Sequence, residues 1–346
     1  MRTGKELIQA SKQFSVENPL RSWFEVLLTM VLAAGVVTMT AFDSIPMIVR
    51  LGISIIGGLL YMRLFVIYHD YQHRAILSRS KPAEWLMTVL GIFLLAPETI
   101  WRRTHEHHHN NNSKLTISGI GSYPTVSKSR FLSLSKMEKR IYLINRNPAV
   151  ILLGYFTLFT YWLNLKSFIQ SPSKHIDSLV SLLLHWGIGF AIWYFLGFDS
   201  LVLTWWLPFF LAYGLGSYLF YCQHNFPGAK FRENQDWAYD YAALASTSHM
   251  RMNPIMHWFT ADIGYHHVHH LNSRIPFYRL REAVVSMPEL DNVATTSWNP
   301  IDMIKCFRLK LWDPENDTMI TMRQFKRQLM EIKKYKSPVA AEHISA

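Results

Sequence analysis

Residues 45–73 read IPMIVRLGISIIGGLLYMRLFVIYHDYQH. Arg50 and Arg63 are the charges between Ile45 and Tyr68, and the run ends on His69-Asp70-Tyr71-Gln72-His73. As an α-helix rising about 1.5 Å per residue, it is long enough to cross a hydrocarbon core of about 30 Å. His69 and His73 stand four positions apart, so both imidazoles leave one face of that helix at its mouth. An arginine deep in a membrane costs about 2.5–3.5 kcal/mol on insertion scales. Arg63 is therefore expected to face protein or to reach toward the His69 end.

Upstream, Val26–Phe42 carries no charge and Asp43-Ser44 makes a short turn. The two runs predict a helical hairpin, with Trp23 and Phe24 completing the first crossing at the interface. Residues 1–25 are expected to form an amphipathic lead-in. Downstream, the basic segment Arg74–Lys81 precedes Trp85–Ala96, an apolar run too short to span and expected to be re-entrant or interfacial. Residues 110–147 hold Lys114, Lys128, Arg130, Lys136, Lys139, Arg140 and Arg146, which the positive-inside rule assigns to the cytoplasm. Three apolar runs follow: Ala149–Leu165, Ser178–Gly197 and Leu201–Cys222. The first is the shortest and is followed by Lys166 and Lys174, so it is expected in or on the inner leaflet. The other two predict a second hairpin turning at Gly197-Phe198-Asp199.

The fold class expected is all-α and integral to a membrane. Four transmembrane helices form two hairpins, at about 26–42, 45–68, 178–197 and 201–222. Interfacial helices and a cytosolic, histidine-rich cap (69–147 and 223–346) complete a single domain, 1–346. Near the end, Met322, Phe325, Leu329 and Ile332 recur at helical spacing between lysines and arginines, which predicts an amphipathic helix within Met319–Lys334.

Composition agrees with segregation of this kind: 50% of residues are apolar and 17% charged, with a formal net charge of +11. The basic excess lies between the apolar runs. It suits anionic lipid or an acidic protein partner, and no nucleic acid is expected. The two cysteines, Cys222 and Cys306, form no Cys-x-x-Cys and give neither a disulfide framework nor a zinc ribbon.

Two further clusters join the first: His105-Glu106-His107-His108-His109 and His266-His267-Val268-His269-His270. In each, three histidines stand at i, i+3 and i+4 on one helical side. Four-apart imidazoles can converge on one ion, and the i+3 and i+4 pair can serve two neighbouring ions. Eight such imidazoles exceed the needs of one ion and suit two. Zinc is saturated by four ligands. The Glu-x-x-His motifs of soluble di-iron bundles are represented by Glu106…His109 alone. An all-nitrogen pair suits redox-active iron. Asp70 and Glu106 are candidate acceptors for imidazole N–H groups. His107 and His267 lie off the shared faces and are expected around the ligands. His249 and His257 are expected in local hydrogen bonds, His185 satisfied inside the bundle, and His175 and His343 at the surface.

These boxes, their order and their placement resemble the membrane-bound fatty acid desaturases, most closely the bacterial acyl-lipid or omega-6 type. The likeness covers roughly residues 40–282. It rests on His69-Asp70-x-x-His73, Trp101-Arg102-x-x-His105-x-x-His108-His109, Gly119-Ile120-Gly121-Ser122-Tyr123-Pro124, and His266-x-x-His269-His270-Leu271 with Arg274-Ile275-Pro276. The resemblance implies a ninth ligand just after the last span, His224 in Tyr221-Cys222-Gln223-His224-Asn225-Phe226. It also implies two irons held by these imidazoles, O2 as co-substrate, and a four-span bundle with a cytosolic cap. Two departures stand out. Gln72 occupies a position where the family often has a small residue. Asp262 stands where the family often has Asn, and is expected near the irons as a tuning group or extra ligand.

The activity so implied is oxygen-dependent introduction of a cis double bond into an acyl-lipid or acyl-thioester. The acyl chain would lie in an apolar tunnel, with Trp186, Trp193, Tyr194, Trp205 and Trp206 as candidate lining. No His-Pro-Gly-Gly haem-domain stretch occurs, so electrons are expected in trans from a ferredoxin or small b-type cytochrome. Such donors are commonly acidic and suit a basic face. The expected setting is a bacterial inner membrane, with the active site and both termini cytoplasmic. Two other readings stay open here. A membrane hydroxylase of alkane or carotenoid type uses similar boxes. A metal transporter or sensor would place ionisable ligands within its spans, and these runs hold almost none.

Overall fold

Two helical hairpins stand side by side and meet at their tips. The computed structural model describes residues 1–115 and 121–335, the side chains of 333–335 excepted. Gly119, Ile120 and His343 therefore lie outside the described residues. Pro19–Met39, Met47–Gln72 and the stretch Ile176–His224 are long and apolar enough to cross a membrane. The first helix starts earlier than its uncharged run because Asn18 accepts the Arg21 N–H as N-cap and Pro19 begins the helix.

The long stretch is two helices. Gly197 sits inside it at φ 85°, ψ 174°, a backbone that L side chains rarely adopt. Around it the chain folds back: the His185 ring lies 4.9 Å from Trp205 and 4.7 Å from Phe209. The turn segment Leu201–Trp206 is wound as a π-helix before Leu207–His224 begins. In the first hairpin Arg63 on the returning helix meets Glu25 on the outgoing one.

The two returning helices, Met47–Gln72 and Leu207–His224, run parallel. Ser54 Oγ donates to the Leu203 carbonyl, Tyr61 packs on Phe209 at 4.7 Å, and Phe65 reaches Tyr213 at 6.1 Å. A Cβ on Gly58 would stand 2.9 Å from Leu211 Cβ, so the backbones touch at a position that admits no side chain. At the tips Arg50 donates to the Thr40 carbonyl at 2.8 Å and pairs with Asp43 at 2.7 Å, while Thr40 and Thr204 hydroxyls bond at 2.9 Å. Both tips thus lie at one end, and His69 and His224 leave at the other.

Arg63 does face protein. Its side chain is 2% exposed, bonded to Glu25 at 2.6 Å and Thr29 at 3.1 Å, donates to the Trp258 carbonyl, and lies 4.2 Å from the centre of the Trp258 ring. A buried charge of this kind persists because it is paired and hydrogen-bonded.

The short apolar run expected to be re-entrant or interfacial forms the helix Lys81–Phe93, and it breaks by 89° into Glu98–Asn111. Leu95 takes a positive φ of 50° at the break. The carbonyls released there each find a side chain from a different segment. Ser181 donates to Ile92 O at 2.6 Å, Asn164 to Leu95 O at 2.7 Å and Tyr68 to Ala96 O at 2.7 Å, and Tyr213 donates to Leu94 O. In an apolar setting an unmet carbonyl is costly, so irregular backbone survives only where protein groups satisfy it.

Ala149–Leu165 belongs to a helical stretch comprising Pro148–Leu152, a π-helix Tyr155–Lys166 and Ser167–Gln170. It packs along Leu207–His224, where a Cβ on Gly214 would meet the Leu152 carbonyl at 2.9 Å. The cap at the histidine end amends the all-α expectation. His249–Arg251 pairs in parallel with Thr295–Ser297, and Leu309–Asp313 pairs antiparallel with Thr318–Thr321. The second sheet, Phe131, Tyr142 and Phe325 form a satellite core beside the main one. The amphipathic tail is the helix Met322–Tyr335. Residues 1–18 are built into the cap: Gly4 N donates to Asp240, and Asn272 Nδ2 donates to Ser11 and Ser15 hydroxyls, both at 2.9 Å.

Candidate metal centre

Four segments deliver nine imidazoles to one place. His69 is in the last turn of Met47–Gln72 and His73 caps it. Glu98–Asn111, aimed by the capped break, carries His105, His108 and His109. His224 ends Leu207–His224. The short helix His266–Leu271 supplies His266, His269 and His270.

They divide into two sets, each with ligand atoms within 4.8 Å of one another: His69, His73, His105, His109 and His269, and His108, His224, His266 and His270. The helical spacing explains the division. In each HxxHH box the i, i+4 pair serves one set and the i+3 residue the other, so His108 parts from His109 and His269 from His270. The sets adjoin: the His109 and His270 rings stack at 4.1 Å and 8°.

Within the sets, Nε2 atoms approach closely. The separations are 2.7 Å for His69–His105, 3.2 Å for His105–His109 and 3.1 Å for His109–His269. In the other set they are 3.1 Å for His108–His224 and 2.9 Å for His224–His266. A neutral ring nitrogen is either one donor or one acceptor, yet the Nε2 atoms of His105, His109 and His224 each face two others. Hydrogen bonds alone leave such a chain unsatisfied, and a shared cation satisfies it.

Electrostatics agree. Burial, and then the neighbouring imidazoles, hold His105, His108, His109, His266, His269 and His270 well below the ordinary imidazole range. They are neutral, with lone pairs free for a metal. Trp101 lies flat on His105, centroids 5.1 Å apart at 14°, and fixes that ring's plane. A cavity of about 20 Å³, room for one water molecule, adjoins His108 and His224 and is lined also by Tyr123 and Phe220.

The sequence model of the family described as fatty acid desaturase matches residues 44–298. The chain belongs to the fatty acid desaturase family. It is 27% identical over 282 residues to a Bacillus subtilis protein named fatty acid desaturase, covering 81% of this chain and 79% of that one. It is 24% identical over 278 residues to the sn-1 oleoyl-lipid 12-desaturase of Picosynechococcus, covering 79% and 78%. Against the chloroplastic omega-6 fatty acid desaturase of Arabidopsis thaliana it is 28% identical over 241 residues, covering 68% of this chain and 53% of the plant protein. The chain is thus a fatty acid desaturase, and the transporter or sensor reading falls.

In this desaturase the other candidate residues are placed as follows. Asp70 is fully buried; one carboxylate oxygen lies 3.6 Å from His69 Nδ1 and the other accepts the Phe277 N–H at 2.7 Å. Glu106 is exposed and bonds none of the nine imidazoles. Its place on the helix, one step past His105, turns it to the outer face. Asp262 belongs to neither imidazole set. It pairs with His257 Nδ1 at 3.0 Å and holds a left-handed φ of 56°, a conformation that Asn and Asp tolerate best among residues with side chains. The preference for Asn or Asp there has a backbone reason. His107 is half-buried and outside both sets. His267 is buried beside His249, rings 5.8 Å apart, and burial pushes it down to about 3.

Two further expectations change. His175 is buried, not at the surface, between the Thr99 hydroxyl at 3.1 Å and Arg103 at 3.3 Å. Trp193 and Tyr194 are exposed on the outer side of their helix, and Trp205 is packed in the core, so these aromatics do not line one interior tunnel. Asn164, Ser181, Tyr68 and Tyr213, which aim the second box, were missed. The available signal was a polar atom inside an otherwise apolar run.

Proposed function

We propose that this desaturase holds two irons, one in each imidazole set, and uses them with O2 to introduce a cis double bond into the acyl chain of a membrane lipid. The observation that carries the reading is the division of nine imidazoles into adjoining sets of five and four. An all-nitrogen pair of sets, five imidazoles beside four, suits redox-active iron better than zinc, which four ligands saturate. Reduced irons supply the activation of O2 by which two hydrogens leave adjacent methylenes and water is released.

The chain's own residues prepare the site. The buried imidazoles keep bulk water away and stay neutral. Trp101 holds the plane of His105, and the buried Asp70 carboxylate stands beside His69 Nδ1, close enough to favour a proton there. Phe220, whose ring lies 5.1 Å from His108 and 5.5 Å from His224, gives the four-imidazole set an apolar wall against which a methylene can rest. The name of the Picosynechococcus relative, an oleoyl-lipid desaturase, favours an acyl-lipid over an acyl-thioester. Electrons come from a separate acidic carrier, a ferredoxin or b-type cytochrome, which the net charge of +11 would attract. The basic loop 110–147 and the N-terminal segment bonded to the cap favour a cytoplasmic histidine end, and the likeness to a bacterial desaturase favours a bacterial cell membrane.

The test is the fatty-acid profile of cells expressing the chain with a reductase system, in iron-replete and iron-depleted medium. New cis double bonds that depend on iron are expected. Hydroxylated chains in their place would establish the alkane- or carotenoid-type hydroxylase reading. Unchanged lipids with iron and donor present would refute both.

A further inference from the structure

The helix Lys136–Asn145 is apolar on a side that none of the described residues covers. Its inner face is fixed: Tyr142 is buried in the satellite core and its hydroxyl donates to the Lys310 carbonyl. Its start is fixed as well, by a capping box between Ser135 and Glu138. Opposite Tyr142 stand Met137, Ile141 and Ile144, at i, i+4 and i+7, and they are 63%, 49% and 50% exposed. Helices of water-soluble surfaces carry the reverse pattern, with the polar stripe outward.

What the stripe adjoins names its occupant. Leu132 is exposed just before it. After Asn147, the N-cap of the next helix, Leu152, Leu153 and Phe156 are exposed along the segment that packs on Leu207–His224. That segment is the flank of the spanning bundle, so exposed apolar residues stand both on the bundle flank and on the cap helix that leads into it. The stripe is edged by Lys136 and Arg140, both exposed, and among the described residues neither forms an ion pair with a carboxylate. Apolar side chains flanked by long cationic ones suit the boundary between acyl chains and phosphate, where the stems lie in the apolar layer and the charges reach the headgroups.

We propose that the Met137–Ile141–Ile144 face is a membrane-docking surface that seats the cap on the bilayer, with Lys136 and Arg140 binding anionic phospholipid headgroups. The proposal rests on the reading of the hairpins as membrane-spanning. Docking there holds the cap at a fixed height over the bundle, since Arg146, one residue past the helix, bonds the Asn225 side chain next to His224.

The experiment uses the full chain with a nitroxide on Ile141→Cys; Cys222 and Cys306 are buried and escape labelling. The protein is reconstituted in vesicles of phosphatidylethanolamine and phosphatidylglycerol, and in vesicles of phosphatidylcholine alone. Collision rates with O2 report lipid contact and those with a nickel chelate report water. Leu183→Cys, exposed on a span, is the lipid reference, and Gln324→Cys, on the terminal helix, is the water reference. In phosphatidylglycerol, Ile141→Cys should match Leu183→Cys. In phosphatidylcholine, or with Lys136→Gln and Arg140→Gln, it should shift toward Gln324→Cys. Met137→Cys should repeat the result should Ile141→Cys fold poorly.

Nickel access at residue 141 like that at 324 in phosphatidylglycerol would overturn the docking. Shielding from both reagents would overturn it in favour of a protein partner or a second copy. Equal depth in both lipids and in the double variant would overturn the headgroup assignment. Water access at Leu183→Cys would instead refute the spanning reading itself.

Discussion

Asp70 accepts the backbone N–H of Phe277 at 2.7 Å, tying the first histidine box to the chain just after Arg274-Ile275-Pro276. The same carboxylate stands 3.6 Å from His69 Nδ1. Asp70→Ala should leave a buried N–H unmet, at a cost of about 1–3 kcal/mol. It should also loosen His69 and lower metal affinity about 10–100-fold. Asp70→Asn keeps an acceptor for Phe277 and should lose less. Competitive metal titration with a thermal midpoint on each variant checks both, and unchanged affinity in Asp70→Ala would remove the carboxylate from this role.

His108 and His109 are adjacent in sequence but serve different sets. His108→Ala should therefore deplete the set of four and His109→Ala the set of five. Each should lower bound metal from about two toward about one per chain and abolish turnover, with helix content by circular dichroism unchanged. Plasma mass spectrometry of the purified variants reads the stoichiometry. Two metals retained in both would show that these imidazoles are not ligands.

The break between Lys81–Phe93 and Glu98–Asn111 depends on its capped carbonyls. Tyr213→Phe removes the donor to Leu94 O and should cost about 1–3 kcal/mol. Gly91→Ala would place a Cβ 2.5 Å from the Tyr68 hydroxyl and break its bond to Ala96 O. Gly52→Ala, where a Cβ meets nothing within 4 Å, is the control and should stabilise its helix by up to about 1 kcal/mol. Melting in detergent ranks the three. Equal midpoints for Gly91→Ala and Gly52→Ala would contradict the account of the break.

Glu25 and Arg63 form the buried pair between the first two helices. Glu25→Leu alone leaves a buried charge unpaired and should cost about 3–5 kcal/mol. Glu25→Leu combined with Arg63→Met should recover most of it, because the desolvation of both charges is removed together. Should the double variant melt no higher than the single one, the pair is not the coupled unit described.

Both hairpins were legible because long, predominantly apolar runs have few alternatives. The nine imidazoles were legible too: eight from helical spacing and His224 from family likeness. What escaped the sequence was tertiary. Arg50 reads as an interruption of a span, yet it staples the two tips through Thr40 and Ser200. Asn164 and Ser181 lie in otherwise apolar runs, and their partners are carbonyls far away in sequence. Glu106 and Asp262 stood close to the boxes, but a one-residue offset turned the first outward and a left-handed backbone gave the second to His257. The strands of the cap are three to five residues long, too short for alternation to register against turns.

The central claim is a pair of irons in an all-imidazole cage. It is tested most directly by X-ray absorption at the iron edge on reconstituted protein, with the metal counted on the same sample. The account predicts about two irons per chain, with four to five nitrogen neighbours each and the outer-shell scattering of imidazole rings. A single metal per chain, or a coordination shell dominated by carboxylate oxygen or sulfur, would contradict it.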